Sequence, residues 1–361
     1  MRVVVLLGGE SAERDVSLAS GCQVAGALRE AGHDVVAVDP IGGALTHGDE
    51  VRILGEGVGS LPPGALAGSG APGPEASGGG VSGSSVPSSR ASTGMSLSNK
   101  EIVSADVVFP VLHGGMGEDG TLQALLDLAE VPYAGSGVLG CGLAMDKDIT
   151  KRILREAGIP TPDWLMNPTA DEAVERLGLP IIGKPLAGGS SVRLYLLDNL
   201  EAVEETIELE TARASKSGVD PDMMYEAFVA GRELTVGVLG DEALPVGEIL
   251  SQHELFDYEC KYQTGMADEV FPAEIPEALA NTLRQRALQV HELLRLRDFS
   301  RFDFIVDERG EAWCLEANAL PGMTANSLFP KAAAAAGITF PELCDRIVHM
   351  AAAYPERAKL K

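Results

Sequence analysis

Three short apolar runs, at residues 3–7, 34–38 and 107–112, constrain the fold of this chain more than any other feature. Turn residues bound these runs, and the first is followed by two glycines and a segment at 16–30 with helical spacing. Short apolar runs of this kind predict buried β-strands, and their alternation with helical segments predicts a parallel sheet. We therefore expect the three runs to form one sheet of an N-terminal α/β domain.

A segment of unusual composition separates the second run from the third. Gly, Ser and Pro make up 28 of the 44 residues at 55–98. Such a segment buries too little apolar surface to offset the entropy lost on ordering it. The composition therefore predicts a flexible surface insertion within the N-terminal domain, which acts as a passive linker.

Beyond residue 112, strand-like and helix-like segments alternate without an internal repeat. A chain of 361 residues forms about two or three domains. The predicted fold class is mixed α/β and α+β. The predicted helices are 121–129, 146–157, 276–296 and 340–354, and the predicted strands are 180–184, 192–196, 223–228, 233–239, 301–306 and 312–316.

The chain is strongly acidic, with 28 basic and 53 acidic residues and a net charge of −25. This charge repels phosphate backbones and anionic lipids, so we expect no nucleic-acid partner and no membrane partner. The five cysteines are scattered and contain no CxxC pair, which favours a reducing compartment and argues against a structural zinc site. No apolar run is long enough for a membrane span, and the N-terminal run is too short for a signal peptide. We therefore expect a soluble cytoplasmic protein.

Polar side chains interrupt two strand-like segments in the last quarter of the chain. Alternate residues of a strand share a face, so Arg301 lies beside Asp303 on one strand and Glu316 beside Asn318 on the next. If the strands are neighbours, Asp303, Glu316 and Asn318 bring together three oxygen ligands of the kind that suits Mg²⁺. Arg301 is then placed to neutralise charge on a phosphate or an oxyanion. The alternative is a solvated sheet face with salt bridges.

One lysine has an unusual setting, because Lys184 ends a predicted buried strand. A buried ammonium needs a partner, and phosphate groups are suitable partners. The glycine–serine loop at 188–191 follows, and its backbone N–H groups are suited to bind phosphate oxygens. The alternative for the loop is an ordinary hairpin turn, and for Lys147 and Lys261 it is a solvated surface charge.

Two glycine-rich loops that carry acidic residues, at 8–14 and 113–120, follow strands of the predicted parallel sheet. Ligand sites of open α/β sheets lie beyond the carboxyl ends of the strands. We therefore expect these loops to form one wall of a site. For Glu13 alone, the alternative is a carboxylate that stabilises a helix N-terminus.

The glycines at 135–140 fit the GxGxxG pattern and follow a strand-like segment. The dinucleotide-binding fingerprint also needs an acidic residue about 20 positions later, at the end of a second strand. Asp146 and Asp148 come too early and open a predicted helix. A nicotinamide-dependent oxidoreductase therefore stays an alternative that rests on this motif alone.

Seven motifs in one order make the chain resemble the D-alanine–D-alanine ligase family of the ATP-grasp ligases. They are GGESAERDVSL at 8–18, LHGGMGEDG at 112–120, MDK at 145–147, KP at 184–185 with GSSV at 189–192, YECKY at 258–262, RFD at 301–303 and LEANALPGMT at 315–324. The resemblance runs from the first predicted strand to the last predicted helix and leaves out only the insertion at 55–98.

The resemblance implies a three-domain ATP-grasp fold. The implied domains are an N-terminal substrate domain at 1–135, a central ATP-grasp domain at 136–227, and a C-terminal domain at 228–361 with the metal and second-substrate sites. The implied reaction joins two D-alanines through D-alanyl phosphate, for peptidoglycan precursor synthesis. ATP is the implied co-substrate, two Mg²⁺ or Mn²⁺ ions are the implied metals, and a homodimer is the implied assembly.

The resemblance also implies roles for individual residues. Those implied to bind ATP are Lys147, Lys184 and Lys261 at the phosphates, Glu226, Phe228 and Val229 at the adenine, and Glu233 at the ribose. Those implied to bind the amino acids are Glu13, Ser190 and Tyr262 at the first ammonium, His113 beside it, and Ser327 and Leu328 at the second carboxylate. Arg301 and the Gly322 N–H match the oxyanion site of the family. The residues that match its metal ligands are Asp303, Glu316 and Asn318.

Arg193 departs from the family pattern, which usually has Gly at this position. Gly indicates unusual backbone rotation or the close approach of a ligand. Two alternatives therefore stay open: a ligase for another amino acid pair, such as a natural-product or resistance ligase, and a nucleotide-binding relative without catalysis. The intact set of Arg301 and the metal-ligand residues argues against the second.

Overall fold

The computed structural model describes residues 1–11, 13–56, 100–188, 193–218, 221–251 and 267–354. The predicted insertion at 55–98 lies outside these residues from position 57 onward, and so do the predicted site residues Ser190, Lys261 and Tyr262. Within the described part, the strands form three sheets. None of the described helices combines the length and the apolar character that crossing a membrane requires.

The first sheet lies near the N-terminus. Its elements and adjacent helices are β1 (Arg2–Leu6), α1 (Arg14–Glu30), β2 (Asp34–Asp39), β3 (Gly43–Ala44), α2 (His47–Glu56), α3 (Lys100–Val103), β4 (Val107–Pro110) and α4 (Thr121–Leu128). The strand order is β3-β2-β1-β4, and β1 is parallel to both β2 and β4. Val3, Val5 and Leu6 have no exposed surface, as expected for a strand covered on both faces. The predicted parallel sheet is confirmed.

The second sheet is antiparallel. Its elements and helices are α5 (Val138–Met145), α6 (Lys147–Glu156), β5 (Trp164–Met166), α7 (Ala170–Leu177), β6 (Ile181–Pro185), β7 (Tyr195–Leu197), α8 (Leu200–Ser217) and β8 (Met223–Ala227). The strand order is β5-β8-β6-β7. The strands on either side of the glycine–serine loop pair with each other, and Ile181 of β6 lies opposite Leu197 of β7.

The third sheet contains the long strands of the C-terminal part. The elements are β9 (Arg232–Leu239), β10 (Glu242–Ala243), β11 (Gly247–Ser251), β12 (Ala267–Val270), α9 (Glu277–Leu293), β13 (Phe299–Val306), β14 (Ala312–Asn318), α10 (Leu328–Ala335) and α11 (Phe340–Ala352). The strand order is β12-β11-β9-β13-β14, with β10 beside β9. Leu283, Ala287 and Val290 of α9 join the apolar core under this sheet. Strand β14 extends to Asn318, two residues beyond its predicted end.

Helix α11, the last of the described helices, packs on α1. Ile347 and Val348 of α11 share one buried cluster with Leu28 of α1 and Val5 of β1. Residues assigned from the sequence to the C-terminal domain therefore complete the core of the N-terminal sheet. The predicted domain boundaries at 135 and 227 fall between the sheets, and they stay predictions.

Candidate active site

A buried cluster of two lysines and one glutamate lies on the second sheet. The side chain of Lys184 on β6 donates a hydrogen bond of 3.0 Å to Glu226 Oε1 on β8. Lys151 of α6 donates to the other oxygen of Glu226 and, at 2.6 Å, to Thr161 Oγ1. Glu226 lies opposite Ile182, and Lys184 is two residues further along β6, so both side chains project from one face. All three charged side chains are buried.

The charges in this cluster do not cancel. Burial opposes ionisation of Glu226, but the ammonium groups of Lys151 and Lys184 hold its pKa below the ordinary value. Burial lowers the pKa of Lys151 to about 8, although Glu226 acts in the opposite direction. The cluster therefore sets two lysines against a single carboxylate. A buried surplus positive charge favours an anionic ligand beside the lysines.

Lys147 lies at the first position of α6. Asp146 caps this helix by accepting a hydrogen bond of 2.9 Å from the backbone N–H of Ile149. The Lys147 side chain is buried and donates a hydrogen bond of 2.8 Å to the backbone oxygen of Gly188. It therefore reaches the first residue of the predicted phosphate-binding loop.

The predicted metal ligands come together on the third sheet. Strands β13 and β14 are antiparallel neighbours, with Asp303 opposite Glu316 and Arg301 opposite Asn318. The Asp303 carboxylate accepts hydrogen bonds from Arg301 at 3.0 and 2.8 Å and from Asn318 at 3.0 Å. Thr235 on β9 donates a further hydrogen bond of 2.7 Å to Asp303. The prediction that the two strands are neighbours is confirmed.

This group fits a magnesium ion by the chemistry of its donors. Asp303 and Glu316 offer carboxylate oxygens, and Asn318 offers an amide oxygen after rotation away from its contact with Asp303. Hard oxygen ligands of this kind suit Mg²⁺ or Mn²⁺. The register shifts after Asp303 and leaves Leu315 of β14 as an extra residue, an irregularity that is common beside functional sites.

The two predicted loops beyond the first sheet contact each other. A Cβ atom added at Gly114 would lie 2.6 Å from Glu13 Oε2, so the Glu13 carboxylate rests on the backbone after His113. Ser11 Oγ donates a hydrogen bond of 2.5 Å to the His113 oxygen, and the His113 N–H donates one of 2.8 Å to Ser17 Oγ. These bonds fix the wall that carries Glu13 and His113.

The His113 ring has one nitrogen prepared for a ligand. Its Nδ1 atom lies 3.4 Å from Glu118 Oε1. Its Nε2 atom is buried and has no hydrogen-bond partner among the described residues. Because buried polar atoms are rarely left without a partner, this atom indicates a polar ligand at the wall.

The loop after β14 is tied to the first helix. The backbone N–H of Thr324 donates a hydrogen bond of 3.1 Å to Ser327 Oγ. A Cβ atom added at Gly322 would lie 2.9 Å from the same oxygen, so Gly322 packs closely against Ser327. The N–H of Ala325 donates a hydrogen bond of 2.8 Å to Gln23 on α1. Leu328 is buried at the start of α10. Gly322, Ser327 and Leu328 therefore belong to one loop that faces the N-terminal part.

Phe228 and Val229 lie on the connection between the second and third sheets, and Glu233 lies near the start of β9 in the third sheet. The N–H of Phe228 donates a hydrogen bond of 3.2 Å to the Pro180 oxygen, directly after β8 ends. Glu233 is the second residue of β9, opposite Ile249 and Ile305.

Arg193 turns towards helix α8. Its backbone φ is +62°, which explains why glycine is favoured at this position. Its guanidinium donates to the buried Glu210 and lies 3.5 Å from Asp222 Oδ1. The side chain therefore joins a local ion-pair network.

Two contributors to the site were missed from the sequence. Lys151 follows Lys147 by four positions, the spacing of one helix face, and this was the available signal. Thr235 lies within an apolar strand, and nothing in its sequence context distinguishes it. Its role depends on the register that places it opposite Asp303.

The GxGxxG motif has a packing role. The N–H of Gly135 donates a hydrogen bond of 2.7 Å to Asp298, and a Cβ at Gly140 would lie 2.8 Å from the Arg295 oxygen. Within the fully described range 135–163, helix α5 is followed by α6 and not by a strand. The βαβ unit of a dinucleotide site is therefore absent from this range.

Two sequence families match the chain. "D-ala D-ala ligase N-terminus" matches residues 2–136, and "D-ala D-ala ligase C-terminus" matches residues 153–349. A D-alanine–D-alanine ligase from Desulfotalea psychrophila is 44% identical over 260 residues, which cover 69% of this chain and 79% of the relative. One from Aquifex aeolicus is 35% identical, covering 96% of this chain and 100% of the relative.

Solved structures share the fold. A D-alanine–D-alanine ligase from Bacillus anthracis complexed with ATP has a TM-score of 0.71 and 27% identity, covering 99% of this chain and 98% of the other. VanG D-Ala:D-Ser ligase from Enterococcus faecalis has a TM-score of 0.73 and 26% identity, covering 97% and 99%. The predicted fold class is confirmed.

Proposed function

Because the chain belongs to the D-alanine–D-alanine ligase family, we propose that the residues described above bind ATP and two D-alanines and join the amino acids. The chain is an ATP-dependent ligase with the three-domain ATP-grasp fold. Its product is D-alanyl-D-alanine, a peptidoglycan precursor, and ADP and phosphate are released. The relationship predicted from the motifs is confirmed.

The observation that best supports ATP binding at this site is the surplus positive charge of the lysine cluster. Lys147 contacts Gly188 at the start of the predicted glycine–serine loop, and Lys184 lies four residues earlier on β6, beside Glu226. Phosphate oxygens supply the counter-charge that this cluster lacks. Lys151 and Lys184 each bind one oxygen of Glu226, and an ammonium group has three hydrogens, so Lys184 has donors to spare for the nucleotide. We assign the phosphates to Lys147, Lys184 and Lys261, and the nucleoside to Glu226, Phe228, Val229 and Glu233.

Asp303, Glu316 and Asn318 would hold two Mg²⁺ or Mn²⁺ ions. When bound, these ions neutralise charge on the phosphate oxygens of the nucleotide. Arg301 makes a bidentate contact with Asp303. Its guanidinium is therefore already oriented on the sheet face that carries the proposed metal ligands.

The reaction requires activation of a carboxylate, because its oxygen is a poor leaving group. A carboxylate oxygen of the first D-alanine attacks the γ-phosphorus, ADP leaves, and an acyl phosphate forms. The amine of the second D-alanine then attacks the acyl carbon, the C–O bond to phosphate breaks, and the amine loses a proton. Such a sequence depends on positioning and on positive charge, and it needs no protein nucleophile.

The side chains of the loops position the amino acids. Glu13 pairs with the ammonium of the first D-alanine, together with Ser190 and Tyr262. The Nε2 atom of His113, which has no hydrogen-bond partner among the described residues, contacts the first D-alanine beside this ammonium. Arg301 and the Gly322 N–H stabilise the oxyanion of the tetrahedral intermediate. The loop of Ser327 and Leu328 binds the carboxylate of the second D-alanine.

The direct test measures phosphate release from ATP and Mg²⁺ with a panel of D- and L-amino acids, and identifies the product by mass. We expect release that depends on D-alanine and yields D-alanyl-D-alanine. D-serine belongs in the panel because VanG D-Ala:D-Ser ligase shares the fold. Preferential formation of a D-alanyl-D-serine product, or no dipeptide with any pair, would contradict the assigned substrate.

The homodimer and the cytoplasmic location implied by the family stay predictions. Light scattering of the full chain distinguishes a dimer, with twice the 37.7 kDa chain mass, from a monomer.

A further inference from the structure

We propose that His33, Asp345 and His349 form a second metal site, for a late first-row divalent cation such as Zn²⁺. His33 lies in the turn between α1 and β2. Asp345 and His349 lie one helical turn apart on α11, so their side chains share a face of that helix. The proposed ion would thus join the first and last parts of the chain.

The three side chains already lie together. His33 Nε2 is 2.7 Å from Asp345 Oδ1, and His349 Nδ1 is 3.1 Å from the same oxygen. The two imidazole rings are 5.8 Å apart between centroids and inclined by 62°. One ligand atom from each residue lies within 4.8 Å of the other two. Among the His, Cys, Asp and Glu residues in the described ranges, this is the one group of three whose ligand atoms all lie within 4.8 Å of one another.

The donor chemistry distinguishes this group from the carboxylate set on the third sheet. Two imidazole nitrogens and one carboxylate oxygen suit Zn²⁺ or a neighbouring transition ion, whereas Mg²⁺ prefers oxygen ligands alone. Three protein ligands leave a fourth position open for water, as in other open zinc sites. The net charge of −25 also raises the local concentration of cations.

The exposure of the three side chains is suited to binding an ion from solution. The His33 side chain is only 5% exposed and is therefore held in place, while Asp345 is 34% and His349 62% exposed. Ligand atoms around a tetrahedral Zn²⁺ are about 3.4 Å apart, given bonds of about 2.0–2.1 Å. Closure of the group thus needs a shift of at most about 1.4 Å, which rotation of the exposed His349 ring can supply.

Binding at this position would stabilise the contact between α11 and the N-terminal sheet. Ile347 and Val348 of the same helix lie in the core shared with Leu28. An ion that binds only the folded chain raises the melting temperature by mass action. At about one hundred times the Kd, we expect Tm to rise by about 3–4 °C for a chain of this length.

The test is calorimetric titration of Zn²⁺ into the full chain, with Mg²⁺ in excess to occupy the oxygen ligands. The Cys260→Ser background removes one thiol that competes for Zn²⁺, and the other four cysteines, Cys22, Cys141, Cys314 and Cys344, are buried. His349→Ala is the main variant because its side chain is exposed and its loss does not disturb the core. His47→Ala, an exposed histidine on α2, is the matched control.

We expect a site of one Zn²⁺ per chain in the background protein and in His47→Ala, and affinity at least about tenfold lower in His349→Ala. The Tm rise with Zn²⁺ should disappear in the same variant, and Asp345→Asn should reproduce both losses. Equal Zn²⁺ affinity and an equal Tm rise in His349→Ala and the background protein would overturn the proposal. Ligase activity with Mg²⁺ should be the same in all these variants, which separates this proposal from the proposed function.

Discussion

Glu226 connects two lysines that the sequence does not link. It lies 42 residues from Lys184 and 75 residues from Lys151. The setting of Lys184 at the end of an apolar strand predicts a buried ammonium, but it does not reveal the partner. The partner depends on the pairing of β6 with β8 and on the position of α6. A charged residue in an apolar strand therefore indicates a site, and tertiary structure determines its composition.

Replacing Lys184 by Met removes the ammonium that we assign to ATP phosphates. We expect kcat/KM for ATP to fall roughly 10²–10³-fold, because a positive charge in a buried site is lost. Steady-state kinetics with varied ATP measures this effect. Lys216→Met, on the exposed side of α8, is the control and should be unaffected. Equal kcat/KM in the two variants would show that Lys184 does not bind the ATP phosphates.

Arg193→Gly tests the residue that departs from the family pattern. The change relieves the cost of a positive φ but removes an ion pair to the buried Glu210. Tyr195 and Arg213 continue to contact Glu210, so we expect a net loss of about 1–2 kcal/mol in unfolding free energy. Urea denaturation measures it, and Arg213→Ala, which removes the more exposed partner, should cost less than about 1 kcal/mol.

The expected kinetic result for Arg193→Gly is an unchanged preference for D-alanine. The guanidinium is paired with Glu210 of α8, and this ion pair gives it a structural role that does not require contact with an amino acid. A changed amino acid preference would instead favour the interpretation that this chain is a ligase for another amino acid pair.

At the scale of elements, the strand pair β13–β14 was the most predictable part of the site. Alternation placed Arg301 with Asp303 and Glu316 with Asn318, and the antiparallel register confirms that the two pairs face each other. The end of β14 was less predictable, because Asn318 is polar and still continues the pairing. Thr235 entered the site only through the neighbouring strand β9, and strand order is not encoded in local sequence.

The packing of α9 on β13 predicts an acid-sensitive contact. His291 of α9 shares a hydrogen bond of 2.7 Å with Ser300, and burial lowers its pKa to about 4, although Asp241 acts against this shift. The unfolded chain binds the proton near pH 6.5, so it holds more protons than the folded chain between pH 6.5 and 4. Stability is therefore complete above about pH 6.5 and falls as the pH decreases towards 4.

The matched variant is His291→Asn, which keeps a hydrogen-bonding group but does not titrate. Between pH 7 and 4 the wild-type chain should lose about 2–3 kcal/mol more unfolding free energy than this variant. Urea denaturation at several pH values measures the difference. Parallel pH profiles for the two proteins would show that His291 is not buried in its neutral form.

At the scale of the whole molecule, each of the three sheets is built from one continuous part of the chain. The apolar core of the first sheet, in contrast, combines residues from both ends of the chain. Alternating strands and helices predicted the parallel first sheet and most of the later strands, but not the antiparallel order of the second and third sheets. The contact of α11 with the region of α1 was not predictable, since it joins residues more than 300 positions apart, through apolar packing and through the pair of His33 and Asp345. Local patterns determine elements, whereas long-range packing selects among the surfaces that those elements offer.

The segment between α2 and α3 should be dispensable for catalysis. We expect deletion of residues 58–97 to leave kcat and KM within about twofold, because shortening a passive connection changes mainly loop entropy. Side-by-side kinetics of the two chains tests this expectation. A loss of activity well beyond twofold, in a variant that remains folded by circular dichroism, would show that the segment contributes to function.

The central claim is that this ligase activates the first D-alanine as an acyl phosphate. The most direct measurement uses D-alanine with ¹⁸O in its carboxylate and determines the isotope content of the released phosphate by mass spectrometry. The oxygen that attacks the γ-phosphorus leaves with phosphate when the second amine attacks. We therefore predict one ¹⁸O atom in the phosphate for each dipeptide formed. Unlabelled phosphate accompanying labelled dipeptide would contradict the acyl-phosphate mechanism.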